Sequence, residues 1–135
     1  MTDDQLGERS PDITTKTSSR SVSNTVDRLI ATVAARGMTL FAVIDHSGDA
    51  AAVGLRLRET RLVIFGNPVG GTPVMVASPL AALDLPLRVL IWDDHGQTTV
   101  SSTSPEAFAV RYGLTSDLVA NLRAIDSVTD AVVAP

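Results

Sequence analysis

An α+β fold follows from three features of this sequence. Three apolar runs, 38–45 (MTLFAVID), 61–65 (RLVIF) and 87–92 (LRVLIW), read as strands. The tetrapeptide DDHG at 93–96 joins the third run to TTVSS at 98–102 as a hairpin turn would. Helical periodicity brackets these strands at the two ends of the chain, with only short helical pieces between them. That order predicts a mainly antiparallel sheet of four to five strands with helices on one face, not a doubly wound parallel sheet.

The elements follow in order. Residues 1–11 read as a flexible tail, 12–126 as a single domain and 127–135 as a C-terminal tail. ITTKTS at Ile13–Ser18 is Thr-rich and alternating, which predicts a first strand at a sheet edge. Ser23 is placed to cap a helix whose Val26, Leu29, Ile30, Val33 and Ala34 share one face, and Gly37 stands where a C′ residue ends it. In 38–45, Met38, Leu40, Ala42 and Ile44 face one way and Phe41 and Val43 the other, so both sides are expected to be covered. Ser47 caps one or two helical turns ending at Gly54. The 61–65 run is apolar on both faces and is expected to be central and buried on both. Thr72, with Pro73 at the first helical position, starts a short helix through PVMVAS, and Pro79 begins a further turn, PLAALD. Pro86 leads into 87–92. Ser104-Pro105-Glu106 begins a helix stopped by Gly113, and a last helix starting after Thr115 or Ser116 carries Leu118, Val119, Leu122 and Ile125.

Composition excludes several chemistries. At 135 residues the chain is one domain with room for a core, and 44% hydrophobic residues is too many for a disordered protein. There is no cysteine, hence no disulfide, thiolate metal site or Cys nucleophile. No apolar run reaches the roughly 18–20 residues of a membrane span, and MTDDQLGERS is unlike a signal peptide, so a cytoplasmic location without membrane partners is expected. The net charge is −4 and Lys16 is the only lysine. Without a basic tract, nucleic acid is not an expected partner. The cluster Arg56, Arg58, Arg61 reads as a solvated face on or beside a strand.

Several phrases together resemble one family, the bacterial and archaeal Domain of Unknown Function 302. They are GMTLFAVIDH with Ala51 to Leu57 downstream, LVIFGNP with GTPVM, and LDLPLRVLIWDD; the resemblance spans about 12–115. It implies a curved antiparallel sheet backed by helices, similar to one half of the TATA-box-binding protein, and a dimer. It implies no activity, and the fold likeness does not imply DNA binding.

The glycine-rich stretch 66–72 (GNPVGGT) is the first candidate site. Gly66 and Gly71 have P-loop spacing, but Thr72-Pro73 stands where a P-loop has Lys-[ST], and no G-x-G-x-x-G is present. What remains is a strand end, two glycines free to take positive φ, and a helix start at Thr72 whose N–H groups suit an anion. Asp45-His46-Ser47 is the second. His46 has the acid–base and ligand chemistry of histidine, but adjacent residues point apart, against a triad; the plainer role is to order a strand-to-helix turn. Asp93-Asp94-His95 reads as turn chemistry. Phe65, Trp92 and Tyr112 read as core packing.

The expectation that combines these features is a homodimer that binds a small polar metabolite or anion at a strand-end pocket. Phe65, Gly66, Asn67, Pro68, Gly71 and Thr72 form one wall and His46 faces them across the same cavity, either from the same subunit or across the dimer interface. No cofactor, metal or catalytic residue is assigned. Two alternatives are a hydrolase- or isomerase-like enzyme using His46 as acid or base, and a dimerisation module without a ligand.

Overall fold

The computed structural model describes residues 11–135; the expected N-terminal tail, 1–11, lies almost wholly outside them. Five strands form one antiparallel sheet in the order β1-β5-β4-β3-β2. They are β1 (Ile13–Ser18), β2 (Thr39–Asp45), β3 (Thr60–Gly66), β4 (Leu87–Asp94) and β5 (Gln97–Thr103). The first and last long helices, α1 (Val22–Ala35) and α6 (Ala124–Val133), pack together on one face. The remaining helices are short: α2 (His46–Ala52), α3 (Pro68–Ala77), α4 (Pro105–Tyr112) and α5 (Ser116–Ala120), with a 3₁₀ turn at Pro79–Leu83.

Period-two alternation decides what the helices cover. Val63 and Phe65 of β3, Leu87, Val89 and Ile91 of β4, and Val100 of β5 turn inward and are buried. Against them α1 sets Val26, Leu29 and Val33, one helical stripe, and α6 sets Ile125, Val128 and Val132. Alternate residues on the other face, Leu62, Ile64, Leu90 and Trp92, are only half-buried. Apolarity on both faces of β3 therefore marks a central strand, as expected, but not one covered on both sides.

The 38–45 run departs further from expectation. β2 is the sheet edge opposite β1, and Phe41 is 54% exposed. A register shift between Leu40 and Ala42 breaks the alternation, so Leu40 and Val43 share the face of Phe65 and Val63. Two buried faces were expected here; an edge strand with a bulge is found.

Caps explain most element starts. Ser21, two residues earlier than expected, accepts the Asn24 N–H and caps α1; Gly37 closes it at φ +69°. Asp45, not Ser47, caps α2 by accepting the Gly48 N–H at 2.9 Å. Ser104 caps α4 with Pro105 behind it, and Gly113 ends it at φ +63°. In the β4–β5 hairpin His95 and Gly96 both take positive φ, 51° and 90°, and Asp93 accepts the Gly96 N–H, the turn chemistry read from DDHG.

The expected last helix is two. α5 ends at Ala120 and the chain turns through Asn121 to Arg123 before α6 begins. Most of the expected C-terminal tail, 127–135, is therefore α6, whose Val128, Thr129 and Val132 are buried. Lys16 on the core face of β1 secures it: Nζ donates to Thr129 Oγ1 at 2.7 Å and to the Asp126 carbonyl at 3.2 Å, and pairs with Asp130 at 2.7 Å. Leu29→Ala, at a fully buried position, is expected to cost about 2–5 kcal/mol. Lys16→Ala is expected to cost about 1–3 kcal/mol by stranding its acceptors. Urea unfolding with unchanged m values checks both.

Candidate functional site

The chain leaves β3 at Gly66 and goes straight into α3. Asn67 is the cap: its side-chain oxygen accepts the Val69 N–H at 3.0 Å, and Pro68 takes the first helical position. The helix thus starts at Asn67-Pro68, not at Thr72-Pro73 as expected, and Pro73 lies inside it. Both sequences carry a capping residue before proline, and the earlier one is the one the strand end presents. Gly70 and Gly71 are helical, without positive φ. Gly70 permits close approach instead, because a Cβ there would stand 3.3 Å from the Asn121 carbonyl oxygen. Gly66 does the same, where a Cβ would stand 3.3 Å from the Pro86 side chain.

A cavity of about 200 Å³ opens between these segments. One wall is the strand end and the first two turns of α3, with Gly66, Asn67, Pro68, Gly71, Thr72 and Met75. Beside it, Leu85, Pro86 and Leu87 at the start of β4 add to the lining. Met38 and the β2 bulge residue Phe41 close one side; Asn121 and Leu122, where α5 passes into α6, close the other. The surface is mostly carbon, with Asn67, Thr72 and Asn121 as its polar side chains. Two methionines in the wall give it adaptable shape.

An anion does not suit this cavity. The first N–H groups of α3 are already used: Val69 donates to the Asn67 side chain, and Gly70 and Gly71 both donate to the Asn67 carbonyl at 3.0 and 2.9 Å. Pro68 has no N–H to give. The Asn67 side-chain oxygen is likewise engaged, leaving its NH₂ as the group it can offer.

The structure divides the expected site residues. Gly66, Asn67, Pro68, Gly71 and Thr72 line the cavity. Phe65 does not; it points into the core and is fully buried. His46 does not either. In the antiparallel pair β2–β3, Thr39 lies beside Gly66 while Asp45 lies beside Arg61. His46 follows Asp45, about 20 Å along the strand from the cavity. Within one chain, a rim shared by His46 and the glycine-rich stretch is therefore corrected to two separate places. Leu85 to Leu87 were missed although antiparallel pairing of β3 with β4 brings that start beside Gly66. Phe41 depends on the bulge and Asn121 on the helix break, which carry no sequence signal.

At the other end of β3, Asp45 accepts from the Gly48 N–H and the Ser47 hydroxyl, with Arg61 at 3.9 Å. Ser47 also receives the Thr60 N–H, so the turn is tied to the start of β3. These side chains order a strand-to-helix turn. A second, open hollow beside α4 has its polar groups paired: the Tyr112 hydroxyl donates to Asp84, which also meets Arg111 at 3.2 Å. The described residues contain no group of three or more metal-ligating side chains.

A five-stranded antiparallel sheet with helices on one face defines a small α+β domain of TATA-box-binding-protein-like fold. The chain belongs to the family described as Domain of unknown function DUF302, whose model matches residues 14–132. The match therefore runs through the last helices, beyond the 12–115 of the resemblance. A crystal structure described as an uncharacterized conserved DUF302 protein from Bacillus stearothermophilus superposes with a TM-score of 0.77 at 16% identity, covering 92% of this chain and 97% of that one. That likeness concerns the fold. Two curated relatives carry the name fluoride-specific ion channel FluC 1. The one from Brucella suis biovar 1 (strain 1330) is 38% identical over 109 residues, 78% of this chain and 43% of its own length. The one from Brucella abortus biovar 1 (strain 9-941) is 38% identical over 109 residues, 78% of this chain and 40% of its own length. The chain thus spans about two fifths of the length of these relatives.

The Asp45 geometry has a pH consequence. The Gly48 N–H, the Ser47 hydroxyl and, more weakly, Arg61 hold its carboxyl below the ordinary value of 3.8. A depressed folded-state value stabilises the fold above the ordinary value, and that contribution is lost as pH falls through the folded one. Wild type is therefore expected to lose more stability than Asp45→Asn as pH falls below about 4, measured as urea midpoints across that range. Equal losses in the two proteins would contradict this.

Proposed function

We propose that this chain is a binding module, acting as a homodimer, that holds a small and largely apolar molecule in the cavity at the β3–α3 junction. The observation that carries this reading is the lining: Met38, Phe41, Met75 and Leu85 to Leu87 present carbon, while Asn67, Thr72 and Asn121 supply a few polar groups. That is the composition of small-molecule sites, in which apolar walls give affinity and sparse polar groups give orientation. At about 200 Å³ the cavity lies below the roughly 300–1,000 Å³ of drug-sized sites. The ligand is therefore compact, with an amide or hydroxyl at one end rather than a phosphate or carboxylate.

An interaction module without a ligand is the second reading, favoured by the half-buried apolar residues on the sheet face that α1 and α6 leave uncovered. The enzyme reading through His46 draws no support from the site, because His46 lies away from the cavity. The channel name of the curated relatives is not carried over: no helix among the described residues is long and apolar enough to cross a membrane. Its overlap with part of those proteins fits a domain that accompanies a transport activity.

The test is a thermal-shift titration with a graded series of aliphatic primary amides. A bound probe at about a hundred times its dissociation constant adds roughly 2.7 kcal/mol, several degrees for a domain of this size. Gly71→Leu is expected to abolish the shift, since a Cβ at Gly71 meets only the Met75 side chain, at 3.9 Å, and further carbons fill the cavity. His46→Ala is expected to leave the shift unchanged. A shift that survives Gly71→Leu, or no shift with any probe, would sink the proposal.

A further inference from the structure

The uncovered face of the sheet is not uniform. Pairing register places Ala42 and Ile44 of β2 beside Ile64 and Leu62 of β3, and these beside Arg88 and Leu90 of β4. Trp92 continues the row, its indole N–H donating to Ser101 Oγ at 3.1 Å and the Arg58 guanidinium 5.8 Å over its ring. On the same face β5 and β1 carry Ser101, Thr15 and Thr17, together with Thr99, which is buried, and the exposed Ile13 at the end of β1. One half is thus apolar and the other is hydroxyl-bearing.

The charges on this face are also ordered. β4 is the middle strand. Its outward residues begin with Arg88, which is exposed and holds no ion pair among the described residues, and end with Asp94, whose one ion pair among them is with His95, at 3.7 Å. Six residues separate the two, about 20 Å.

We infer that a second copy of this chain stacks on this face about a twofold axis running across the strands, with Arg88 of each protomer meeting Asp94 of its partner. This rests on the homodimer in the proposed function and names its surface. A twofold in that direction lays each strand antiparallel over its own counterpart. The apolar half then meets the apolar half, and the positive end of β4 meets the negative end of the partner's. A twofold along the strands would instead bring the apolar half onto the hydroxyl half and place like charges together. Self-complementarity of one patch is what an isologous interface requires. Size agrees: at ~4.8 Å per strand and ~3.3 Å per residue the face spans roughly 24 by 20 Å in projection. Two corrugated faces of that extent approach the roughly 1,200–2,000 Å² of a stable interface. Face-to-face sheets pack in this aligned way, about 30° apart through their twist.

Sedimentation equilibrium of the full chain tests it, with circular dichroism as the fold control. The wild type is expected to be a dimer at micromolar concentration, Ile64→Arg a folded monomer, and Val110→Arg, exposed on α4, a dimer like the wild type. Arg88→Asp and Asp94→Arg are each expected to weaken the dimer on the order of tenfold, since the twofold breaks two pairs at once. The doubly exchanged protein should recover most of that loss. A monomeric wild type at 100-fold higher concentration overturns the homodimer and this surface together. A dimer that persists in Ile64→Arg and ignores the charge exchange overturns the surface alone. Should Ile64→Arg fail to fold, the exchange of the two terminal charges decides by itself.

Discussion

The fold depends on how the last helix is held to the first strand and the first helix. α6 has no basic residue in its own last turn, where a helix has free carbonyls and partial negative charge. The positive groups come from elsewhere. Arg20 Nη1 donates to the Val132 and Ala134 carbonyls at 3.3 and 2.9 Å, and Arg28 Nε to Ala131 at 3.2 Å. Arg36 reaches Ser127 and Lys16 reaches the α6 first turn. Four cations from β1, α1 and their flanks thus lie along one helix, while Leu29, Val33, Val128 and Val132 fill the space beneath. Because α6 joins α5 through Asn121, the same anchoring fixes one side of the cavity.

Much of this architecture was legible because local rules and the global fold agree. The edge strand at ITTKTS, the β4–β5 turn at DDHG and the helix stops at Gly37 and Gly113 need only local geometry. The failures have physical causes. Apolarity on both faces of 38–45 and 61–65 was read as burial on both faces, but apolar residues also occupy an uncovered sheet face. The bulge at Phe41 is invisible in composition. The 127–135 segment looks short and featureless, and it becomes a helix through contacts with residues more than ninety positions earlier.

The candidate site shows a different kind of limit. Gly66 to Thr72 were found because a strand end followed by Asn-Pro and glycines has few other uses. Placing His46 beside them contradicted the antiparallel sheet that the same sequence predicts: neighbouring antiparallel strands end at opposite edges. Consistent use of that rule would have excluded His46 and brought in Leu85 and Pro86. The anion reading failed through bookkeeping of donors, since one asparagine absorbs the helix N–H groups through both its side chain and its carbonyl.

The proline inside α3 gives the cavity wall a dynamic character. Pro73 has no N–H to give the carbonyl of Val69, one turn earlier, and Val69 is 81% exposed. Two adjacent glycines add backbone freedom in the same turn, and of the whole helix only Val74 is buried. Local opening costs least where few apolar contacts and few internal hydrogen bonds must be broken. Amide exchange should therefore be faster in the first turns of α3 than in α1 or β4. The α3 wall of the cavity is thus held by fewer buried contacts than the sheet behind it.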